Sequence, residues 1–286
     1  MKLQSPAKIN LFLKILGKRP DGFHELKTLM CPIDLCDEIA FELCDSEIEI
    51  EVEGADLSAG PDNLAYRAAD LLRSHARIIR GVRIKIHKRI PLGGGLAGGS
   101  SNAAMVLRGC NELWDTGLSK EELHGLAAQL GSDVNLFIED GPCLCRGRGE
   151  LVEPVTIEGA YHVLLVNPGF GVSTPETFKY FAKLSEGQKK GTLGEGVYRY
   201  QNSSKIPFEF RLCNDLERAV FPKHLWITEA KRWLAGQEET LDSLMSGSGA
   251  TLFALTNDPD KANSLQKKAV EYFGEETMII QAQLLR

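Results

Sequence analysis

Five glycines and two serines are concentrated in Pro91-Leu92-Gly93-Gly94-Gly95-Leu96-Ala97-Gly98-Gly99-Ser100-Ser101-Asn102, between a segment patterned as a strand and one patterned as a helix. In Val82-Arg-Ile-Lys-Ile-His-Lys88 the apolar Val82, Ile84 and Ile86 alternate with Arg83, Lys85 and His87, the two-residue period of a strand with one core face and one wet face. Beyond the glycines, Ala103, Val106, Leu107, Cys110, Leu113 and Trp114 recur at three- and four-residue spacings, which predicts a helix with Ser100 or Ser101 as its N-cap. Glycine lets the main chain take positive φ and lets a ligand approach it closely. The unpaired N–H groups and positive dipole end of the helix attract anions. The segment is therefore a candidate phosphate cradle, the alternative being a flexible glycine loop with no ligand.

Three large phosphate-binding classes are disfavoured. Gly93-x-Gly95-x-x-Gly98 formally matches the dinucleotide fingerprint, but that fold calls for a continuously apolar strand buried on both faces, and this strand alternates. A Walker loop requires Lys and then Ser or Thr after its last glycine, whereas Gly99 is followed by Ser100 and Ser101. Neither the His-Arg-Asp nor the Asp-Phe-Gly triplet of protein kinases occurs.

Three further clusters carry polar groups in strand or turn contexts. Ala7, Ile9, Leu11, Leu13 and Ile15 alternate with Lys8, Asn10, Phe12 and Lys14. On such a strand Lys8 and Asn10 share a face, roughly 6–7 Å apart; that face could address one ligand or simply be solvated. Gly131-Ser-Asp-Val-Asn-Leu-Phe137 follows a helix marked by a Ser119/Glu122 capping box, an apolar face of Leu123, Leu126, Ala127 and Leu130, and Gly131 at the C′ position. Asp133 then either caps a new helix near Val134 or presents a carboxylate to a ligand. Ser246-Gly-Ser-Gly-Ala-Thr251 leads into the strand-like Leu252-Phe-Ala-Leu255, and serves either tight backbone packing or a phosphate pocket.

Taken in order, Pro6-Ala-Lys-Ile-Asn10, Pro91 to Asn102, Gly131-Ser-Asp133 and Ser246-Gly-Ser-Gly-Ala250 resemble the superfamily of galactokinase, homoserine kinase, mevalonate kinase and phosphomevalonate kinase (GHMP). Arg19-Pro-Asp-Gly-Phe-His24, Asp62-Asn-Leu64, Ser173-Thr-Pro175 with Phe178, and Asn214-Asp-Leu-Glu217 extend the resemblance toward its branch acting on 4-diphosphocytidyl-2-C-methyl-D-erythritol, in the non-mevalonate isoprenoid pathway. The resemblance implies an α+β, two-domain fold, with a ribosomal protein S5 domain 2-like N-terminal unit and a ferredoxin-like α/β sandwich after it. It also implies transfer of the γ-phosphate of ATP, with Mg²⁺, to the tertiary 2-hydroxyl of that substrate. By the same resemblance Asp133 is the general base or hydroxyl-orienting carboxylate, and Lys8 stabilises charge around the reacting groups. The loop Pro91 to Ser101 holds the ATP phosphates, while Asn63, Leu64 and Lys88 line the adenosine pocket. Asn10 helps hold the substrate. Phe23, His24 and Phe178 engage its cytosine, with Thr174 and Pro175 in the same motif. No residue is assigned as a metal ligand. Three positions depart from the family pattern: Phe23 where Tyr is common, Ala97 where glycine is usual, suggesting a site tolerant of a Cβ, and Asn135 in place of the usual Pro.

The 286 residues leave ample core for one large or two medium domains; the expected units are 1–156, ATP-binding, and 157–286. A net charge of −6 and no basic cluster disfavour a nucleic-acid partner. Seven cysteines without a Cys-x-x-Cys favour reduced thiols in the cytosol, or in the plastid stroma for a plant source. Lys8, Asn10 and Lys14 interrupt the apolar start, so neither a signal peptide nor a membrane span is expected. A monomer or weak homodimer is expected. The runs Ile39-Phe41-Leu43 and Ile48-Ile50-Val52 predict a hairpin across Cys44-Asp45-Ser46 with Glu47, Glu49, Glu51 and Glu53 outward. Residues 185–205, rich in Gly, Lys and Gln, predict a mobile excursion at the lip of the site. The alternatives are another small-molecule kinase of this superfamily without a cytidyl requirement, and a nucleotide-binding protein that is not a kinase.

Overall fold

The chain was analysed as a computed structural model, which describes residues 1–184, 186–189 and 193–285. It begins with two long strands, β1 (Lys2–Lys18) and β2 (His24–Cys44), followed by β3 (Ile48–Glu53), α1 (Leu64–Ala76), β4 (Gly81–His87), α2 (Gly98–Leu113), α3 (Lys120–Leu130), a 3₁₀ turn at Asn135–Ile138, β5 (Cys143–Gly147) and β6 (Leu151–Ile157). Next come β7 (His162–Asn167), α4 (Thr174–Phe181), the four-residue α5 (Glu186–Lys189), β8 (Tyr198–Asn202), β9 (Pro207–Phe210) and β10 (Cys213–Asn214). The remainder is α6 (Glu217–Val220), a 3₁₀ turn at Phe221–Lys223, α7 (Leu225–Ala235), β11 (Asp242–Met245), β12 (Leu252–Thr256), α8 (Pro259–Phe273) and β13 (Met278–Gln283). Among the described residues no helix is long and apolar enough to cross a membrane.

Two sheets stack between two layers of helices. The first runs β10-β1-β2-β5-β6-β8-β9, with β4 on β2 and β3 on β4; the second runs β11-β12-β7-β13 and is antiparallel throughout. Alternation along the second sheet sends Val163, Leu165, Phe253 and Leu255 toward the first sheet and Leu164, Val166, Leu252 and Ala254 toward α7 and α8. Both of its faces are therefore core, as in a sandwich with helical covers. Although β6 ends where the second unit is expected to begin, β8, β9 and β10 return to the first sheet.

The predicted hairpin at Cys44-Asp45-Ser46 does not form. β4 inserts between its arms, antiparallel to β2 and parallel to β3. Electrostatics explains the choice: β2 and β3 are both acidic on their wet face, and β4 places cations between them. Arg83 reaches Glu49 at 2.8 Å and Glu42 at 3.5 Å, and Lys85 reaches Glu53 at 2.6 Å and Glu51 at 3.4 Å. Each such exposed pair contributes at most about 1 kcal/mol, but direct pairing of the two acidic strands would have set like charges opposite one another. Gly81 permits the insertion, since a Cβ there would lie 2.2 Å from the Glu47 carbonyl oxygen.

Other local expectations shift as well. α2 begins at Gly98 rather than after Ser100 or Ser101, with Ala97 as its N-cap. Gly131 ends α3 in an extended conformation, φ 175°, so glycine's left-handed freedom is not used there. The Ser119/Glu122 capping box forms as expected. Within the proposed excursion, residues 185 and 190–192 lie outside the described residues, while Tyr198–Asn202 is a strand paired with β6 and its Tyr198 and Tyr200 are buried in the core between the sheets.

Candidate functional site

A cavity of about 970 Å³ opens where the N-terminal strands, the glycine loop, α4 and the turn between β11 and β12 converge. Among the described residues six lysines and arginines, Lys8, Lys18, Lys88, Arg148, Lys179 and Lys183, line it against one carboxylate, Asp133. Even with Lys88 paired to buried Asp37, this excess of cations in a chain with six net negative charges gives the cavity a field that favours anions.

One end is built from main chain. Residues 91–97 arch from β4 into α2, and Ala97 adopts φ 56° with no side chain capping the helix. The first N–H groups of α2 thus have no helical or capping partner and point to where an anion is best held. The arch is pinned from three sides. The Lys8 amide donates to the Leu96 carbonyl at 3.0 Å. The Lys8 ammonium donates to the Gly95 carbonyl at 2.7 Å. The Ser246 hydroxyl also donates to the Gly95 carbonyl, at 3.0 Å, and the Thr251 amide donates to the Gly94 carbonyl at 3.2 Å. No side chain fits at two of these glycines: a Cβ on Gly95 would lie 2.1 Å from the Ser246 carbonyl oxygen, and one on Gly94 would lie 2.7 Å from the Asn167 and Thr251 side chains. The Ser246 to Thr251 turn packs against the loop, and Gly247 and Ser248 lie on the cavity wall.

Lys8 and Asn10 sit at the centre and are almost fully buried, not solvated. The Lys8 ammonium donates to Asn10 Oδ1 at 2.8 Å, and Asn10 Nδ2 donates to the Thr28 hydroxyl at 2.8 Å. A bulge just past Asn10, where β1 slips register against β2, returns Phe12 to the inter-sheet core with Ile9 and Leu11 and leaves Lys8 and Asn10 on the cavity side. Asp133 does not cap the short helix after it; Val134 holds the cap position without a side-chain bond, so the Asp133 carboxylate remains on the cavity wall. Burial pulls the Lys8 ammonium below its ordinary range, and the charge of Asp133 opposes that shift. The neighbouring Cys145 thiol is driven well above its usual value by burial, which disfavours its thiolate.

The other end is built from side chains. In the turn joining β1 to β2, the Asp21 carboxylate accepts the Phe23 amide at 3.1 Å, and the Arg19 amide donates to the Phe23 carbonyl at 2.8 Å. That turn delivers His24 against Phe178 of α4, with ring centroids 5.1 Å apart and planes inclined by 27°. Ser173 caps α4, and the Thr174 and Ser248 hydroxyls meet at 2.6 Å across the cavity wall. Half-exposed Phe23 lies under the Arg148 guanidinium, 4.8 Å from the ring centroid.

Of the expected site residues, Lys8, Asn10, Phe23, His24, Leu64, Lys88, Pro91 to Ser100, Asp133, Thr174, Pro175 and Phe178 all line this one cavity. Asn63 and Ser101 are placed elsewhere. The Asn63 side-chain Oδ1 caps α1 by accepting the Ala65 amide at 2.9 Å, and Ser101 is fully buried, accepting from the Ser5 hydroxyl at 2.8 Å. Lys88 contributes to the wall while its ammonium is paired to buried Asp37. Ala97, read as tolerant of a Cβ, in fact holds a left-handed conformation that favours glycine. Asn135 is buried, meeting His124 Nδ1 at 3.0 Å and donating to the Glu150 carbonyl at 3.0 Å; it ties the segment after Asp133 to α3 and to the β5–β6 turn. Arg148 was missed in the sequence, although a clue lay in Arg146-Gly-Arg-Gly149: Gly147 and Gly149 take positive φ and turn the chain so that Arg148 faces the cavity.

Comparison with known proteins gives the family. Residues 63–142 match the GHMP kinases N terminal domain, and residues 181–275 match the GHMP kinases C terminal family. A 4-diphosphocytidyl-2-C-methyl-D-erythritol kinase of Methylacidiphilum infernorum is 44% identical over 274 residues, covering 94% of this chain and 92% of that protein. A protein of the same name from Prochlorococcus marinus is 41% identical, covering 92% and 88%. A crystal structure of 4-(cytidine 5′-diphospho)-2C-methyl-D-erythritol kinase superimposes with a TM-score of 0.79 at 31% identity over the full length of both chains. The chain belongs to the GHMP kinases, in the family of 4-diphosphocytidyl-2-C-methyl-D-erythritol kinases.

Proposed function

We propose that this chain transfers the γ-phosphate of ATP to the tertiary 2-hydroxyl of 4-diphosphocytidyl-2-C-methyl-D-erythritol, a step of non-mevalonate isoprenoid synthesis. The observation that carries the reading is the order of groups along one cavity: a main-chain phosphate cradle, then Lys8 and Asp133, then the His24–Phe178 ring pair. ATP fits the first end, where the uncapped start of α2 and the Cβ-free arch at Gly94 and Gly95 leave room and donors for its phosphates. A flat pyrimidine suits the last. The Arg148 guanidinium lies over Phe23, and the next residue, Gly149, has its Cβ position 3.6 Å from Asp133 Oδ1. We assign its guanidinium to the diphosphate that joins the two halves of the acceptor.

In the reaction the acceptor hydroxyl oxygen forms a bond to the γ-phosphorus as the bond to the ADP oxygen breaks, and Asp133 takes the hydroxyl proton. A tertiary alcohol is crowded, so alignment and charge neutralisation supply most of the rate. Lys8, fixed by Asn10 and Gly95, holds positive charge where the transferring group gains negative charge. Mg²⁺ neutralises and orients the nucleotide phosphates when bound. Ser100, on the cavity wall in the first turn of α2, would supply a protein oxygen to an ion held otherwise by phosphate oxygens and water. The seven free thiols fit a reducing compartment such as a bacterial cytosol. The test is ADP release from Mg-ATP with the cytidyl substrate, mevalonate, homoserine and galactose in parallel. Turnover with the cytidyl substrate alone is expected. Turnover with another acceptor would keep the kinase and overturn the base-binding end.

A further inference from the structure

Asp37, on β2, is fully buried beneath the glycine loop and is used by none of the steps above. Its Oδ1 accepts the main-chain amides of Arg89 at 2.7 Å and Ile90 at 2.9 Å, the two residues leading into the loop. Its Oδ2 accepts Asn102 Nδ2 at 2.9 Å and the Lys88 ammonium. Asn102 stands just past the loop, in the first turns of α2. Its Oδ1 accepts from Lys88 at 3.0 Å, and its Nδ2 also reaches the Ser5 hydroxyl at 2.9 Å. One carboxylate therefore grips both the entrance and the exit of the arch.

The arrangement is costly to bury, which argues that it has a use. Lys88 and Asp37 side chains are only 3% and 0% exposed, and taking two charges out of water is repaid only when their remaining hydrogen-bonding sites are filled. Here the carboxylate has four donors. The Lys88 ammonium also lies 3.2 Å from where a Cβ of Gly98 would sit, at the positive end of α2. Without Asp37 an unneutralised cation would press on the helix start. The loop itself offers only glycines, Pro91, Leu92, Leu96 and Ala97 before Ser100, and so has no side chain able to fix its own base.

We propose that Asp37 is a positioning residue for the nucleotide: by clamping residues 88–90 to Asn102 it sets the curvature of the 91–100 arch, and with it the spacing of the amides that meet the ATP phosphates. This inference rests on the reading of that arch as the ATP cradle. It is tested in the full-length protein by steady-state kinetics and by calorimetric titration with ATP. Asp37→Asn keeps the shape but removes the charge. It is expected to raise KM and Kd for ATP by about tenfold while KM for the acceptor stays within about twofold, because a misplacement of even 1 Å has effects of this order or larger. Asn102→Leu removes the exit half of the clamp together with the Asn102 bonds to Lys88 and Ser5, and leaves the Asp37–Lys88 ion pair in place; it is expected to move the ATP constants in the same direction by about threefold, and it serves if Asp37→Asn does not fold. A merely structural role would lower thermal stability and move both substrates' constants alike. Equal shifts for ATP and acceptor, or ATP constants unchanged in a folded variant, overturn the proposal. No ATP binding by the wild-type chain would overturn the ATP reading itself and this inference with it, whereas equal binding by wild type and Asp37→Asn overturns this inference alone.

Discussion

The two ends of the cavity are made of different material. At the proposed nucleotide end the functional groups are amides, and the local side chains are largely excluded: Gly94 and Gly95 have no room for a Cβ, and the pinning bonds go to carbonyls. At the proposed acceptor end the groups are side chains carried by separate elements, with His24 from the start of β2, Phe178 from α4, Arg148 from the β5–β6 turn and Asp133 after α3. The first end should fail when atoms are added and the second when atoms are removed. Main-chain cradles suit a ligand group that never varies, such as a phosphate, whereas side chains let related kinases address different acceptors on one scaffold.

The largest expected effect tests the reacting centre. Asp133→Asn should lower kcat by about 10²- to 10⁴-fold, the usual contribution of a positioned base, with Kd for ATP nearly unchanged because the carboxylate lies off the phosphate cradle. A variant with full turnover would remove Asp133 from proton transfer. Next is Gly95→Ala, which both overpacks against Ser246 and forces a side chain onto φ +76°. The loss of stability should be about 2–5 kcal/mol, with ATP affinity falling and acceptor affinity holding in whatever protein folds. Retained ATP binding at wild-type strength would break the idea that the arch is shaped by its glycines.

Deletion at the opposite end should act on the opposite substrate. His24→Ala removes one ring of a stack of the kind that contributes about 0.5–1.5 kcal/mol, so KM for the acceptor should rise by about 3- to 10-fold with KM for ATP steady. Arg148→Gln should act on the same constant, and more strongly on inhibition by cytidine diphosphate than on inhibition by cytidine. Loss of affinity for both alike would deny Arg148 its diphosphate.

The same division decides what was legible in the sequence. The glycine loop, the flanking strand and helix, the Ser119 capping box and the Lys8-Asn10 pair could be read because each is a local pattern with a local cause. The arms of the β2–β3 hairpin were correctly read as strands but wrongly paired. Their partner β4 lies some thirty residues farther along the chain, and its Arg83 and Lys85 reveal their purpose only once Glu42, Glu49, Glu51 and Glu53 are seen on either side. Asp37 was illegible for a related reason: in Leu35-Cys-Asp37 it looks like an ordinary strand acid, and only the folded chain brings Lys88, Asn102 and two loop amides onto it. Arg148 had a usable cue in its flanking glycines, but the direction in which that turn points depends on β5 pairing with β2.

The smallest effect sharpens the comparison at its most delicate position. Ala97 is the one residue of the arch that carries a Cβ in a left-handed conformation, φ 56°, at a strain of roughly 1–2 kcal/mol. Ala97→Gly relieves that strain but raises the entropy of the unfolded chain, by about 0.4–1 kcal/mol, and gives up a partly buried methyl packed against the core beneath α2. The contributions nearly cancel, so the expected net change is a stabilisation of about 0.5 kcal/mol, read as a small rise in Tm, with ATP constants within about twofold because the start of α2 keeps its geometry. A fall in Tm would mean that methyl packing outweighs strain and that this alanine is a built part of the wall. A large change in ATP affinity at constant Tm would mean that the stiffness of the arch, and not only its shape, sets how it holds phosphate.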